Sequence, residues 1–418
     1  MSEITAVDAW EVLDSRGNPT VRAEVRTDGA AGRFTVPAGA STGRFEAVER
    51  RDGGDRYGGM GVQDAVTAVQ NELDEVVGHD VSDQAGIDAT LERTDGTANF
   101  SRLGANAVLA VSGAVLHAAS AIAEEPLYQY VAEQYAAAPS LPTPMINVLS
   151  GGLHAEGGIE IQDFLVVPRD AASIGDAVET AWAVRDAVRR TIVEDGHRPL
   201  VADEGGFAPP LDEIADAFSL LLAGIERAGY VPGKEVSIAV DVAASHFYDP
   251  ASETYRLESV DRRLSRRELI DLVVEWTDQY PICSIEDPLA EDDWAGWALL
   301  ADRLDDVQLL GDDLLVTNRE RLQRAVDEGV ATAVLVKPNQ AGTITRAIDV
   351  VRAARDAGIE TVVSARSGET CDATIADLAV GLAGQIKIGS LARSERLAKY
   401  NRLLEIDRFA EIPYADRL

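Results

Sequence analysis

Short apolar runs that each end in a charged side chain dominate the C-terminal part of the chain. An apolar run bounded by turn residues is typical of a buried strand, and helical patterns separate these runs from one another. Strands and helices therefore alternate, which predicts an α/β protein with a parallel barrel or sheet. The five runs end at Asp241, Glu286, Asp312, Lys337 and Lys387.

The charges at these strand ends predict a cation site. In a (β/α) barrel the C-terminal ends of the strands meet at the face that carries the chemistry. We therefore expect the three carboxylates and two lysines to converge at one mouth. Carboxylates brought so close together repel unless a cation balances them, and hard oxygen ligands of this kind suit Mg²⁺ or Mn²⁺.

The N-terminal part has a different pattern, which predicts a separate α+β domain. Residues 4–37 alternate between apolar and polar positions in three short runs, as an antiparallel meander does, and helical patterns follow at about 61–77, 86–93 and 103–123. Pro139, Pro142 and Pro144 then interrupt any helix. We place the boundary there, which gives an N-terminal domain at 1–138 and a barrel at 139–418.

Composition excludes several classes of partner. The formal net charge of −33 argues against nucleic acid and anionic membranes, since both require a basic surface. Polar residues such as Asn106, Ser112 and His117 interrupt the most apolar stretch, so it predicts a buried helix and no membrane span. With only two cysteines and no basic, apolar leader at the N-terminus, we expect a cytoplasmic protein.

Short motifs recur along the whole chain. They are D-S-R-G-N-P-T (14–20), G-A-S-T-G (39–43), L-G-A-N-A (103–107), P-M-I-N-V (144–148), D-E-G-G (203–206), D-V-A-A-S (241–245), S-I-E-D-P (284–288), E-D-D-W (291–294), G-D-D-L (311–314), K-P-N-Q-A-G-T (337–343), R-S-G-E-T (366–370), G-Q-I-K (384–387) and R-S-E-R-L-A-K-Y-N (393–401). In these motifs and their order the chain resembles the enolase family, whose members interconvert 2-phosphoglycerate and phosphoenolpyruvate with Mg²⁺. The resemblance implies an enolase-type (β/α)8 TIM-like barrel in which one early strand runs antiparallel to the others.

The resemblance also implies roles for the charged residues. Asp241, Glu286 and Asp312 would hold a first Mg²⁺, and Ser41 would join a second Mg²⁺ that arrives with the substrate. Lys337 would take the proton next to the substrate carboxylate, as the general base. Lys387 would bind that carboxylate, and its charge, together with the metals, would lower the pKa of Lys337.

Further residues would act on the leaving group and the phosphate. By resemblance, Glu204 would help to expel the hydroxide as general acid, while Arg366 and Ser367 would bind the phosphate. An ordinary structural ion pair is the alternative interpretation of Arg366. His154 lies on a loop that the family closes over the phosphate, and Gln162 would contact the substrate. The implied partners are a small phosphorylated carboxylate and further copies of the chain, as a dimer or octamer.

Two positions depart from the family pattern. The family reads I-Q-E-F where the chain has Asp163 in place of the glutamate, and S-H-R-S where the chain has Ala365 in place of the histidine. Three interpretations follow. The chain is an enolase, which we favour; a specialised relative such as carboxyphosphonoenolpyruvate synthase of phosphonate biosynthesis; or an inert enolase-like scaffold. The intact metal ligands and lysines argue against the last.

Overall fold

The computed structural model describes residues 2–39, 43–155 and 158–415. Ser41, the predicted ligand of a second cation, lies outside the described residues. The chain begins with the predicted antiparallel meander, in which the middle strand pairs with both of its neighbours. Its strands are β1 (Ile4–Leu13), β2 (Pro19–Thr27) and β3 (Ala31–Thr35).

Four helices follow the meander in the described part of the N-terminal region. The third packs so closely on the sheet that a Cβ on Gly32 would lie 2.1 Å from the carbonyl oxygen of Ala114. Among the described residues it is also the one helix long and apolar enough to cross a membrane, and 83% of its apolar window is buried inside the protein. The helices are α1 (Gln63–Asn71), α2 (Gln84–Asp95), α3 (Ala105–Ala123) and α4 (Leu127–Gln134).

Eight strands of the described chain close into a barrel, which confirms the predicted fold class. The second barrel strand runs antiparallel to both of its neighbours, and the other neighbouring pairs are parallel. The barrel strands are β4 (Thr143–Ser150), β5 (Asp163–Pro168) and β6 (Val236–Asp241), followed, after a small sheet of β7 (Tyr248–Asp249), β8 (Thr254–Leu257) and β9 (Arg262–Ser265), by β10 (Ile282–Glu286), β11 (Gln308–Gly311), β12 (Ala333–Val336), β13 (Glu360–Ser364) and β14 (Gln385–Gly389).

Helices follow the barrel strands and cover the outside of the barrel. Polar side chains cap several of them: Asn318, for example, accepts from the backbone of Glu320 and Arg321 at the start of one helix. The helices are α5 (Ile174–Glu194), α6 (Ile214–Arg227), α7 (Arg266–Gln279), α8 (Trp294–Ala301), α9 (Arg319–Glu328), α10 (Pro338–Ala341), α11 (Ile344–Ala357), α12 (Thr374–Leu382) and α13 (Ser394–Phe409).

The interior of the barrel is apolar below the mouth. Side chains from the barrel strands, among them Met145, Leu165 and Leu335, form one buried cluster. Cys283 belongs to this cluster, and burial raises the pKa of its thiol to about 12, so it behaves as a core residue. The charged residues at the ends of the same strands therefore lie directly above a packed apolar core.

The N-terminal region is joined to the barrel by buried hydrogen bonds. Ser112 on α3 accepts from the backbone N–H of Ile344 at 3.0 Å, and Asp88 on α2 accepts from that of Thr345 at 2.9 Å. The N-terminal helices thereby satisfy the first N–H groups of α11, which have no partner within that helix. Near the mouth, the backbones of Ala38 and Gly368 bond to each other, which joins the end of the N-terminal meander to the segment after β13.

Candidate active site

The five charged residues predicted at the strand ends do converge at one mouth of the barrel. The ammonium of Lys387 donates to Asp241 at 2.8 Å and to Glu286 at 2.5 Å. The ammonium of Lys337 donates to Asp312. The parallel register of β6 and β10 places Asp241 directly beside Glu286, so the alignment of the strands itself brings these carboxylates together.

Like charges crowd this mouth and favour a bound cation. Burial, together with the neighbouring Asp241, raises the pKa of Glu286 well above its ordinary value. Glu286, Asp287 and Asp312 each place one carboxylate oxygen within 4.8 Å of the others. Asp287, however, accepts from the backbone N–H groups of Asp312 and Asp313, at 3.2 and 2.7 Å, so it holds the turn after β11. The carboxylate oxygens of Glu286 and Asp312 remain, and hard oxygen donors of this kind fit Mg²⁺.

Lys337 forms a direct ion pair with Asp312, which sequence spacing does not reveal because the two residues end different strands. Burial opposes the charge of Lys337, but the carboxylate of Asp312 outweighs burial and raises the pKa of Lys337. The charge of Lys387 acts in the opposite direction and lowers this pKa. The predicted net lowering of the Lys337 pKa requires bound metals and stays a prediction.

A second cluster, formed by His154, Asp163 and Glu204, lines the same pocket. The Nδ1 atom of His154 lies 3.1 Å from the Oδ2 atom of Asp163, and its Nε2 atom lies 3.8 Å from Glu204. Burial opposes protonation of the imidazole, but the two carboxylates outweigh it and raise the pKa of His154 to about 9. Burial opposes ionisation of Glu204, but Arg396 and His154 outweigh it and lower its pKa. Burial also raises the pKa of Asp163, against the opposing charge of His154. The raised pKa of His154 and the lowered pKa of Glu204 together favour a protonated imidazole beside an ionised Glu204.

Arg366, which is predicted to bind phosphate, lines the pocket and pairs there with an acidic side chain. Its guanidinium donates to Glu46 at 3.1 and 3.3 Å and to the Asn339 side chain at 2.9 Å. Ser367 and Gln162 line the same pocket. The amide of Gln162 donates to the carboxylate of Asp241 at 3.2 Å. The structure thus brings all three residues to the mouth, and their binding roles stay predictions.

Two pocket residues, Glu46 and His246, and a neighbouring side chain, Gln340, were not singled out from the sequence for a role in the site. Glu46 carries no motif signal, although it pairs with Arg366. Gln340 donates to Asp312 at 2.9 Å and to Glu46 at 3.2 Å, and its place in K-P-N-Q-A-G-T could have marked it. His246 lines the pocket after β6, and no ligand spacing in the sequence marks it.

Comparison with known proteins agrees with this architecture. Residues 4–131 match the family model described as "Enolase, N-terminal domain", and residues 138–414 match "Enolase, C-terminal TIM barrel domain". The chain is 49% identical over 411 residues to a protein named Enolase from Acidothermus cellulolyticus. That alignment covers 97% of this chain and 94% of the relative.

Proposed function

The chain belongs to the enolase family, and from this membership we propose that it is a Mg²⁺-dependent carbon–oxygen lyase that reversibly dehydrates 2-phosphoglycerate to phosphoenolpyruvate. The observation that carries the proposal is the convergence of two buried lysines and three carboxylates at one barrel mouth. A lysine base beside Mg²⁺ is the established arrangement of enolase-superfamily sites, and the present residues match it.

Asp241, Glu286 and Asp312 are the proposed ligands of a first Mg²⁺, and Ser41 of a second that binds with substrate. When bound, these ions would stabilise the extra negative charge that the substrate carboxylate gains when its neighbouring carbon loses a proton. The donor chemistry supports the assignment, because three buried carboxylates share two lysines at the mouth and Asp241 raises the pKa of its neighbour Glu286.

Lys337 is the proposed general base, acting through its Nζ atom. The pair with Asp312 raises the pKa of Lys337 and so favours its charged form. A cation held by Asp312, together with the charge of Lys387, would lower this pKa, and Nζ could then release its proton to solvent and accept the substrate proton as a neutral amine. The nearby ammonium of Lys387 then pairs with the substrate carboxylate.

The second cluster is proposed to supply the proton to the leaving hydroxide. We propose that His154 holds this proton at rest in place of Glu204, the general acid that the resemblance implies, because the pKa of His154 is raised and that of Glu204 is lowered. The Nε2 atom of His154 lies 3.8 Å from Glu204. Asp163 keeps the charge of His154 balanced. Arg366 and Ser367 are proposed to bind the phosphate, and Gln162 to contact the substrate, because all three line the same pocket.

The test is formation of phosphoenolpyruvate from 2-phosphoglycerate by the purified chain with Mg²⁺. We expect turnover that disappears with a chelator and returns when Mg²⁺ is restored. No turnover at saturating substrate and Mg²⁺ would refute the proposal and leave the specialised relative or the inert scaffold.

We also propose how the chain is organised in the cell. Residues 1–138 form an N-terminal domain and 139–418 the catalytic barrel. The protein is a homodimer, or an octamer built from dimers, supported by large apolar side chains that stay exposed, such as Leu13, Trp182 and Leu200. The reaction would serve glycolysis, and a cytoplasmic location follows from that role.

A further inference from the structure

Two buried side chains donate hydrogen bonds to the carboxylate of Asp163, and the proposed reaction gives neither of them a role. The amide of Asn147 donates to the Oδ1 atom of Asp163, and the hydroxyl of Ser150 donates to the same atom at 2.8 Å. The amide of Asn147 also donates to the Ser150 oxygen at 3.0 Å. Asn147, Ser150 and Asp163 are all buried, so water does not compete freely for these bonds.

Backbone geometry fixes this arrangement. Asp163 begins β5, and the antiparallel register of β4 and β5 places it opposite Ser150, the last residue of β4. Asn147 lies three residues earlier on β4. A third segment packs against both side chains. A Cβ on Gly206 would lie 2.5 Å from the Ser150 hydroxyl oxygen and 2.8 Å from the side-chain amide oxygen of Asn147. The site therefore has room only for the bare backbone of glycine at that point.

The orientation of the His154 ring depends on which carboxylate oxygen of Asp163 is free to contact it. With Oδ1 occupied by two donors, Asp163 presents Oδ2 to the imidazole. The Oδ2 atom of Asp163 and the Nδ1 atom of His154 are buried 3.1 Å apart, and neither meets a hydrogen-bond partner in the part of the chain that the structure describes. A hydrogen on Nδ1 directed toward Oδ2 would satisfy both atoms. The Nε2 atom is the nitrogen left to face Glu204 and the pocket.

We propose that Asn147 and Ser150 are positioning residues of this active site: they orient Asp163, which in turn fixes the ring orientation of His154. The inference rests on the proposed function, because it assigns residues to the same proton-donating cluster. Asp163 is in this account also a positioning residue, and His154 is the group that meets the substrate. A small displacement of a positioned catalytic group is costly, since a shift of about 1 Å can lower a rate about 10²-fold.

The experiment measures kcat and KM for phosphoenolpyruvate formation in Ser150→Ala, His154→Gln and the double variant. Ser284→Ala is the matched control, because it also removes a buried barrel hydroxyl that accepts a hydrogen bond, from Gln308 at 3.1 Å. We expect Ser150→Ala to lower kcat about 10-fold, as loss of a hydrogen bond to a charged group does, with KM nearly unchanged. In the His154→Gln background, Ser150→Ala should lower kcat no further.

A second readout does not depend on the reaction. Proton NMR follows the Hδ1 resonance of His154, identified by its absence from His154→Gln. In the unmodified protein this resonance should lie downfield and exchange slowly with solvent. In Ser150→Ala it should move upfield and exchange faster, whereas Ser284→Ala should leave it in place. If the unmodified chain forms no phosphoenolpyruvate, the proposed function fails and this resonance alone decides the positioning role.

Clear outcomes would overturn the inference. They are an Hδ1 resonance that Ser150→Ala leaves unchanged, a kcat equal to that of Ser284→Ala, or an equal loss of kcat in the presence and absence of His154. Asn147→Ala should act in the same direction and more strongly, because Asn147 contacts both Ser150 and Asp163. Should that variant fail to fold, Ser150→Ala still decides.

Discussion

Charge balance at the level of single residues explains why the barrel mouth needs a cation. Glu286 is buried beside Asp241, and the like charge raises its pKa. Lys387 compensates by bonding both carboxylates, and their charges outweigh burial and raise its own pKa well above the ordinary value. When Lys387 binds a substrate carboxylate instead, the two acids lose part of this compensation, which a divalent ion can supply.

Replacement of Glu286 by glutamine tests the metal assignment. A neutral amide cannot balance a divalent charge, so we expect Glu286→Gln to lose Mg²⁺ binding or to weaken it greatly. Isothermal calorimetry with Mg²⁺ measures this directly. The control is Glu291→Gln, which removes an acid from the loop after the same strand. Affinity in Glu286→Gln equal to that of the control would remove Glu286 from the metal site.

The protonation of His154 gives a pH-dependent prediction. Its pKa, about 9 in the folded protein, lies above the ordinary 6.5, so the folded state binds the proton more tightly than the unfolded chain does. The associated stability is fully present below about pH 6.5 and is lost as the pH rises through about 9. We expect the thermal midpoint of the unmodified protein, measured relative to His154→Gln, to fall across this interval.

NMR titration of His154 gives the same quantity without unfolding. The midpoint should lie near pH 9 and should move toward 6.5 in Asp163→Asn, because a neutral amide no longer attracts the imidazolium. A midpoint near 6.5 in the unmodified protein would show that the two carboxylates do not act on the ring as the structure indicates.

At the scale of elements, the strand ends could be predicted because parallel strands place their last residues at one edge. The direction of β5 could not, since an apolar run looks the same in either direction, and only the family resemblance indicated it. Helix α4 was missed: it is short, begins right after Pro126, and is stabilised by packing on α12, which lies far away in sequence.

The environment of Asp163 shows a different limit of the sequence. The sequence reveals that this side chain is one methylene shorter than the family's glutamate. It does not reveal that Asn147 and Ser150 on the neighbouring strand take up the carboxylate. Such partners depend on strand register and on the close approach of Gly206, and spacing along the chain encodes neither.

The junction between the N-terminal helices and α11 gives a prediction for stability. Asp88 satisfies the backbone N–H of Thr345 in a fully buried position. We expect Asp88→Ala to destabilise the fold by about 1–3 kcal/mol, the cost of a buried group left without its partner. Calorimetric unfolding measures this, with the exposed Asp74→Ala as control. Equal midpoints for the two variants would contradict the role of Asp88 in this junction.

At the scale of the whole molecule, the proposed association of the chain with further copies can be tested at an exposed apolar side chain. Leu13, at the end of β1, is 56% exposed, and we place it in the proposed interface. We expect light scattering at micromolar protein to give at least twice the chain mass of 44.6 kDa. Leu13→Glu should weaken this association, because it places a charge in the proposed interface.

The control for association is Leu299→Glu, on the outer barrel helix α8, where the leucine is 44% exposed. This variant adds the same charge at another exposed leucine, and it should leave the mass measured by light scattering unchanged. A sharp mass near 44.6 kDa for the unmodified protein would contradict the proposed dimer.

The central claim is that Lys337 removes the proton next to the carboxylate of 2-phosphoglycerate, and its most direct test is exchange of that proton with deuterium from the solvent. Exchange reports the first chemical step even if a later step limits turnover. The unmodified protein with Mg²⁺ should exchange the proton, as should the exposed control Lys234→Ala. Lys337→Ala should be slower by about 10²–10⁴-fold or more, as expected when a general base is removed. Exchange in Lys337→Ala at the rate of the control would contradict the account and assign the base to another residue.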